Sequence, residues 1–200
     1  MELYIVRHGQ TDWNANGLLQ GRSDTRLNQN GIDAAKNLGE QLRGVHFNKI
    51  FSSPLQRAFQ TACLIRGALE SQSEIPIIKD ERLIEISFGE GEGKHYTEWM
   101  NESSPYRYFF SAPEKYPVPP GGESFESVCE RTKNFIQTEI ETGFQKKSRV
   151  MIVAHGVLNK GIMCYIQNHG IKDYWLGDLQ KNCGASIFDY DGKIWKHCKN

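Results

Sequence analysis

The sequence predicts a three-layer α/β sandwich, with helices on both faces of a mostly parallel central sheet and a loop-rich cap. Three observations predict it. Apolar runs of strand length alternate with segments of helical periodicity. Two of the runs, Leu3 to Val6 and Val150 to Ala154, are continuously apolar, as strands buried on both faces are. Both runs end at a His-Gly pair, and open α/β sheets bind ligands beyond the carboxyl ends of their strands.

After the first strand, Arg7-His8-Gly9 opens a polar, Gly-rich loop to about Asn30. From Gly31 to Arg43, Ile32, Ala35, Leu38, Gly39 and Leu42 recur at helical spacing. Lys49 to Ser52 reads as a second strand. Ser53 is then a candidate N-cap, with Pro54 in the first turn of a helix that runs to about Glu70. Ile75 to Ile78 is a further apolar piece. From about residue 80 to 124 the chain is irregular, rich in Gly, Pro and aromatics, and reads as a cap with one or two short helices. Helical spacing returns from Glu123 to Thr142 and again from Val157 to Gln167. Two last strands, Ala185 to Tyr190 and Lys193 to His197, flank the hairpin signal Asp191-Gly192. No repeat, low-complexity tract or linker intervenes, so residues 1–200 read as a single domain carrying the cap as an insertion.

Composition narrows the partners. Lys+Arg and Asp+Glu both number 24, so no long-range field gathers nucleic acid or an anionic membrane. Any attraction for anions must come from a local cluster of Arg and His. No apolar run approaches the ~20 residues that span a bilayer, and the first residues are too quickly charged for a signal peptide. Five scattered cysteines without a C-x-x-C pair read as reduced thiols. The expectation is a cytoplasmic protein.

Four places could carry chemistry. At the first strand end, Arg7 offers a planar fork for phosphate or carboxylate beside His8, and Gly9 permits close approach of backbone to ligand. Thr11, Asn14 and Gln20 add polar groups. Arg57 falls in the first turns of the helix after Ser52-Ser53-Pro54, where the helix N-terminus favours anions; taken alone it reads as well as a solvated surface arginine. Glu85, flanked by Ile84 and Ile86, is either a partly desolvated carboxyl suited to acid catalysis or an exposed edge-strand residue. His155-Gly156 repeats the form of the first site, and packing alone hardly explains two such strand ends. Gly89-Glu90-Gly91-Glu92-Gly93 is rejected as a phosphate loop because its glutamates repel phosphate. His46, His95, His169 and His197 lack ligand spacing, so no metal is expected. The aromatics between Tyr96 and Tyr116 read as cap packing, some of them able to shape a pocket.

Leu3-Tyr4-Ile5-Val6-Arg7-His8-Gly9-Gln10-Thr11-Asp12-Trp13-Asn14 resembles the signature of the histidine phosphatase superfamily, the phosphoglycerate mutase-like proteins. Gln20-Gly21, Ser52 to Ala58, Leu83 to Ile86, Pro120 to Ser124 and Ala154-His155-Gly156 match its later motifs in order, over nearly the whole chain. The resemblance implies the phosphoglycerate mutase-like fold. It implies His8 as nucleophile, Glu85 as proton donor, and Arg7, Arg57 and His155 as the clamp on the transferred group. Asn14, Gln20, Gly21 and Gly156 are then auxiliary substrate contacts. No cofactor and no metal follow, because cationic side chains take the metal's role.

Cofactor-dependent mutases of the family carry a longer insertion after the acid Glu, with adjacent arginines. Here that stretch is short and holds only Arg107. Glu85 to Gly93 resembles the phosphatase branch, so the expected function is hydrolysis of a small phosphorylated metabolite through phosphohistidine. Phe88 stands where some phosphoserine phosphatases of the family carry His, and Gly91 where phosphatases often carry a large apolar residue. Phosphoserine, 3-phosphoglycerate and a ribazole phosphate all stay open as substrates. The alternatives are a phosphoglycerate mutase or a non-catalytic phosphate-ligand binding protein. A homodimer stays open. The tail Lys196-His197-Cys198-Lys199 is a candidate to bend over the pocket and take a substrate carboxylate.

Overall fold

The computed structural model describes residues 1–69, 74–143 and 145–198. In chain order the elements are β1 (Glu2–Arg7), α1 (Asp12–Ala15), α2 (Gln29–Gln41), β2 (Lys49–Ser52), α3 (Gln56–Ala68) and β3 (Ile77–Lys79). The cap follows with α4 (Tyr96–Trp99), α5 (Tyr108–Ser111) and three short 3-10 turns. Then come α6 (Phe125–Phe135), β4 (Arg149–Ala154), α7 (Gly156–Ile166), β5 (Ala185–Tyr190) and β6 (Trp195–His197).

The six strands form one sheet in the order β3-β2-β4-β1-β5-β6. β1, β2, β3 and β4 are mutually parallel, while β5 and β6 add an antiparallel edge. Side chains alternate across a strand, and both faces here are covered. Leu3 and Ile5 pack with Val128, Phe135, Leu158 and Ile162 from α6 and α7. Tyr4 and Val6 turn the other way, into a cluster with Ala62 and Ile65 of α3 and Leu38 of α2. β4 divides likewise, Ile152 to the first cluster and Met151 and Val153 to the second. Two covered faces explain why β1 and β4 read as unbroken apolar runs.

This topology makes a crevice. β1 and β4 are neighbours, but the chain leaves β1 towards α2 on one face and leaves β4 into α7 on the other. Adjacent strands whose connections part in this way open a gap at their carboxyl ends. His8 and His155 follow β1 and β4 at that gap.

Several boundaries differ from expectation. α3 starts at Gln56 with Leu55 as N-cap, and Ser53 does not cap it. The cap comes from elsewhere in the chain: Asp24 Oδ1 accepts the Gln56 N–H at 2.7 Å. Glu70, the expected end of that helix, lies outside the described residues. The loop after β1 contains the short α1, held by a Thr11–Asn14 capping box. The expected Glu123–Thr142 helix is α6 continued by π-turns over Ile136–Glu141. Glu85 is not on an edge strand; it follows the 3-10 turn Glu81–Leu83 and is buried. The tail does not bend over the crevice, because its residues pair into β6 and the Cys198 N–H donates to Ile187 O at 2.9 Å. Lys199 lies outside the described residues. The five cysteines are unpaired. Among the described residues, no helix is long and apolar enough to cross a membrane.

Candidate active site

Four sequence segments meet at the crevice. His8 is the first residue past β1, and its backbone N–H donates to Ala154 O at 2.9 Å. Its ring is 3% exposed. Nδ1 lies 2.7 Å from the Gly9 carbonyl, an acceptor only, so Nδ1 carries the hydrogen. The Nε2 lone pair is thereby left as the nucleophilic end. Gly9 serves packing rather than ligand approach: a Cβ there would stand 2.6 Å from Gly31 O at the start of α2.

His155, 0% exposed, faces His8 with ring centroids 5.1 Å apart. Its Nε2 lies 2.7 Å from Ser53 Oγ. The Ser53 hydroxyl also accepts the Leu55 N–H at 3.4 Å, which directs its own hydrogen towards His155. With Ser53 donating to Nε2 the imidazole proton sits on Nδ1, which is buried without a partner among the described residues.

Arg57 is buried and Arg7 half-buried, and in each the Nε atom is itself buried and left to donate. Arg57 gives Nη1 to Ser23 O and Nη2 to the carbonyls of Gln20 and Gly21, at 2.7–3.0 Å. Arg7 gives Nη1 to Gln180 O at 2.7 Å. The Nε of each has no partner among the described residues. Arg57 is therefore not the solvated surface residue that it resembles in isolation. Burial pulls its guanidinium down to about 10, with Glu85 partly offsetting this, so it stays charged at neutral pH.

Glu85 reaches the site through α7. Its carboxylate accepts the N–H groups of Leu158 (2.9 Å) and Val157 (3.1 Å) in the first turn of that helix, and that of Ile86 (2.9 Å). These bonds and Arg57 favour the ionised form, but burial outweighs them and the pKa is raised. Both imidazoles are held well below their ordinary pKa, first by burial and then by Arg57, with Arg7 also lowering each. The site thus holds two imidazoles held below their ordinary pKa, two cations and a carboxyl whose pKa is raised.

Asn14, Gln20, Gly21 and Gly156 line the same cavity as Arg7, His8, Arg57 and Glu85. Asn14 Oδ1 accepts from Thr11 N and Asn182 Nδ2, and Gln20 Oε1 accepts from the hydroxyls of Thr11 and Thr25. Each amide is left with its NH2 end to donate. Gly156 is the first residue of α7, at the positive end of the helix.

Sequence reading missed the supports. Arg131 binds Glu123 bidentately at 2.9 Å and donates to Arg82 O and Ile84 O, which fixes the backbone just before Glu85. The segment 174–182 contributes Trp175 and Leu179 to the cavity lining and braces its neighbours, supplying Gln180 O to Arg7 and Asn182 Nδ2 to His8 O (3.0 Å). No periodicity marks that segment; the one hint is a pair of amide residues just before a strand.

Comparison with known proteins agrees with this geometry. Residues 3–198 match the histidine phosphatase superfamily (branch 1). The 2,3-bisphosphoglycerate-dependent phosphoglycerate mutase of Cytophaga hutchinsonii is 33% identical, over 96% of this chain and 89% of its own length. The adenosylcobalamin/alpha-ribazole phosphatase of Escherichia coli is 33% identical over 80% and 76%. The structure of a phosphoserine phosphatase from Entamoeba histolytica, in complex with 3-phosphoglyceric acid, superposes with a TM-score of 0.84 at 27% identity, covering 99% of this chain and 95% of that one.

Proposed function

The chain belongs to the histidine phosphatase superfamily, and from that membership we propose that it hydrolyses phosphomonoesters of small metabolites through a covalent phosphohistidine on His8. One observation carries the reading. Three buried side-chain nitrogens, Arg7 Nε, Arg57 Nε and His155 Nδ1, have no partner among the described residues, and all belong to side chains grouped about His8. A buried unsatisfied donor costs about 1–3 kcal/mol, so a chain retaining three in one place is built around an anion. Three donors suit the equatorial oxygens of a phosphoryl group in transfer.

The steps follow from the atoms. His8 Nε2 attacks phosphorus as the ester P–O bond breaks. The leaving oxygen takes the proton of Glu85. Water then attacks the phosphohistidine and gives its proton to the Glu85 carboxylate. The P–N bond breaks and Nε2 recovers its lone pair, releasing orthophosphate. Charge neutralisation comes from Arg7 and Arg57, so turnover is expected to persist in chelator.

Hydrolysis is favoured over mutase chemistry by the cations in the cavity, which are Arg7 and Arg57 alone among its lining residues. Arg107 lies elsewhere, 4.4 Å over the Tyr108 ring and bonded to Ser104 O. Among the described residues, the lining offers no further cation for the second phosphate that a bisphosphate intermediate needs. The relatives named above divide between mutase and phosphatase, and between ribazole phosphate and phosphoserine, so they share only the phosphomonoester. The test is phosphate release from p-nitrophenyl phosphate and a metabolite panel, with EDTA present, for wild type and His8→Ala. The reading expects turnover in the first and none in the second. Absence of turnover in both indicates a binding protein, and bisphosphate-stimulated conversion of 3- to 2-phosphoglycerate indicates a mutase.

A further inference from the structure

Two parts of the cavity lining differ in chemistry. The buried polar lining is His8, Arg57 and Glu85 with half-buried Arg7, whereas the more exposed lining is apolar, Leu18, Phe110, Trp175 and Leu179, with buried Phe88 and Phe109 behind it. Phe109 is fully buried, while Phe110 and Trp175 are half-buried. The Trp175 indole N–H donates to Phe109 O at 2.6 Å, and its ring lies 4.8 Å from Phe110 and 5.5 Å from Phe109. This wall is fixed before any ligand arrives, and it offers flat apolar surface.

Among the described residues, the lining holds no cation besides Arg7 and Arg57. Lys160 Nζ is spent on Leu176 O (2.7 Å) and Gly177 O (3.1 Å). Arg22 is outside the lining; it pairs with Glu123 at 3.2 Å and turns Nε to Glu85 O at 3.4 Å. Glu85, the remaining ionisable group of the lining, would repel an anionic alcohol whenever it is ionised. A carboxylate or second phosphate on the leaving group would lose water there and meet no cation, with only the neutral amides of Asn14 and Gln20 to donate, which is unfavourable.

We infer that the site selects phosphomonoesters of uncharged alcohols that carry a flat aromatic or apolar group, and discriminates against alcohols bearing a carboxylate or a second phosphate. The inference rests on the phosphatase reading and names its substrate class. A phosphoryl group held at the polar lining directs its ester oxygen towards Glu85 and the alcohol outward along Phe110 and Trp175.

The experiment compares kcat/KM for 2-phenylethyl phosphate, ethyl phosphate, phosphoserine and 3-phosphoglycerate. All four are esters of alkyl alcohols, so the leaving oxygens are of one kind. 2-Phenylethyl phosphate is expected to exceed ethyl phosphate by about tenfold or more, the order that apolar pocket contacts supply. Phosphoserine and 3-phosphoglycerate are expected to fall below ethyl phosphate. Phe110→Ala and Trp175→Ala, with melting curves to confirm folding, are expected to narrow the phenylethyl-to-ethyl ratio through KM. Phosphoserine or 3-phosphoglycerate matching 2-phenylethyl phosphate would overturn the inference and leave the phosphatase reading intact. Failure to hydrolyse even p-nitrophenyl phosphate removes both.

Discussion

Ser53 governs the chemistry of a side chain it does not share a segment with. Its hydroxyl lies 2.7 Å from His155 Nε2, and by donating there it favours the tautomer with the proton on Nδ1, the end buried among the unspent donors. Ser53→Ala removes that preference and lets the ring turn its donor away. The expected loss in kcat is up to about 10²-fold, the scale of one lost oxyanion donor. Ser53→Thr keeps the hydroxyl and is expected to recover most of it; an unchanged kcat in Ser53→Ala would refute the tautomer argument. Glu85 gives a second residue-level test. It must be protonated to serve the leaving oxygen, and its pKa is raised, so kcat/KM for alkyl phosphates is expected to fall as pH rises through that value. At the acid side the rate falls only where His8 gains a proton, below its ordinary 6.5. Glu85→Gln is expected to abolish the alkaline fall and to cost about 10²–10⁴-fold with alkyl esters. With p-nitrophenyl phosphate, whose leaving group needs no proton, the kcat/KM loss should be much smaller. Equal losses with both esters would exclude the acid role.

At the level of elements, the site is two strand ends, two helix starts and the segments that brace them. β1 and β4 were legible because a strand buried on both faces leaves an unbroken apolar run, and His-Gly after each marks where it stops. Glu85 stood open between two readings because its neighbours are apolar in either case. What settles it is the first turn of α7, 72 and 73 residues on, whose N–H groups hold the carboxylate. Ser53 was misread as a cap because Ser-Pro before a helix is a local signal, whereas the actual cap, Asp24, comes from 32 residues away. The segment 174–182 was illegible, since irregular backbone has no period to read. Arg131 is the brace with the clearest test. Arg131→Met leaves Glu123 without its bidentate partner and the Arg82 and Ile84 carbonyls without donors. The expected cost is about 2–4 kcal/mol in stability, from a partly buried charged network. A lower kcat with KM little changed should accompany it, as Glu85 loses its placement. Full stability by urea titration would show the brace to be dispensable.

Across the whole molecule, the cost of concentrating unsatisfied donors and neutral imidazoles appears as pH- and ligand-dependent stability. Folded His8 and His155 have depressed pKa values, so below about 6.5 the unfolded chain takes up two protons that the folded chain refuses. Stability is expected to fall as pH drops from 7.5 to 5.5, by up to about 1.4 kcal/mol per imidazole for each pH unit. Glu85 opposes this, because its raised pKa lets the folded state keep a proton that the unfolded state has lost, but it is one group against two. Melting curves of wild type and His155→Asn check the slope, which should flatten in the variant. Orthophosphate is expected to raise the melting temperature, by the equivalent of about 2.7 kcal/mol at a hundredfold excess over Kd.

Rapid chemical quench with a 32P-labelled phosphomonoester tests the attack by His8 most directly. The expected result is a protein-bound phosphate that forms within one turnover, survives alkali, is lost in acid, maps to His8 and is absent from His8→Ala. A steady release of orthophosphate with no labelled protein at any time point, or label on another residue, would contradict it.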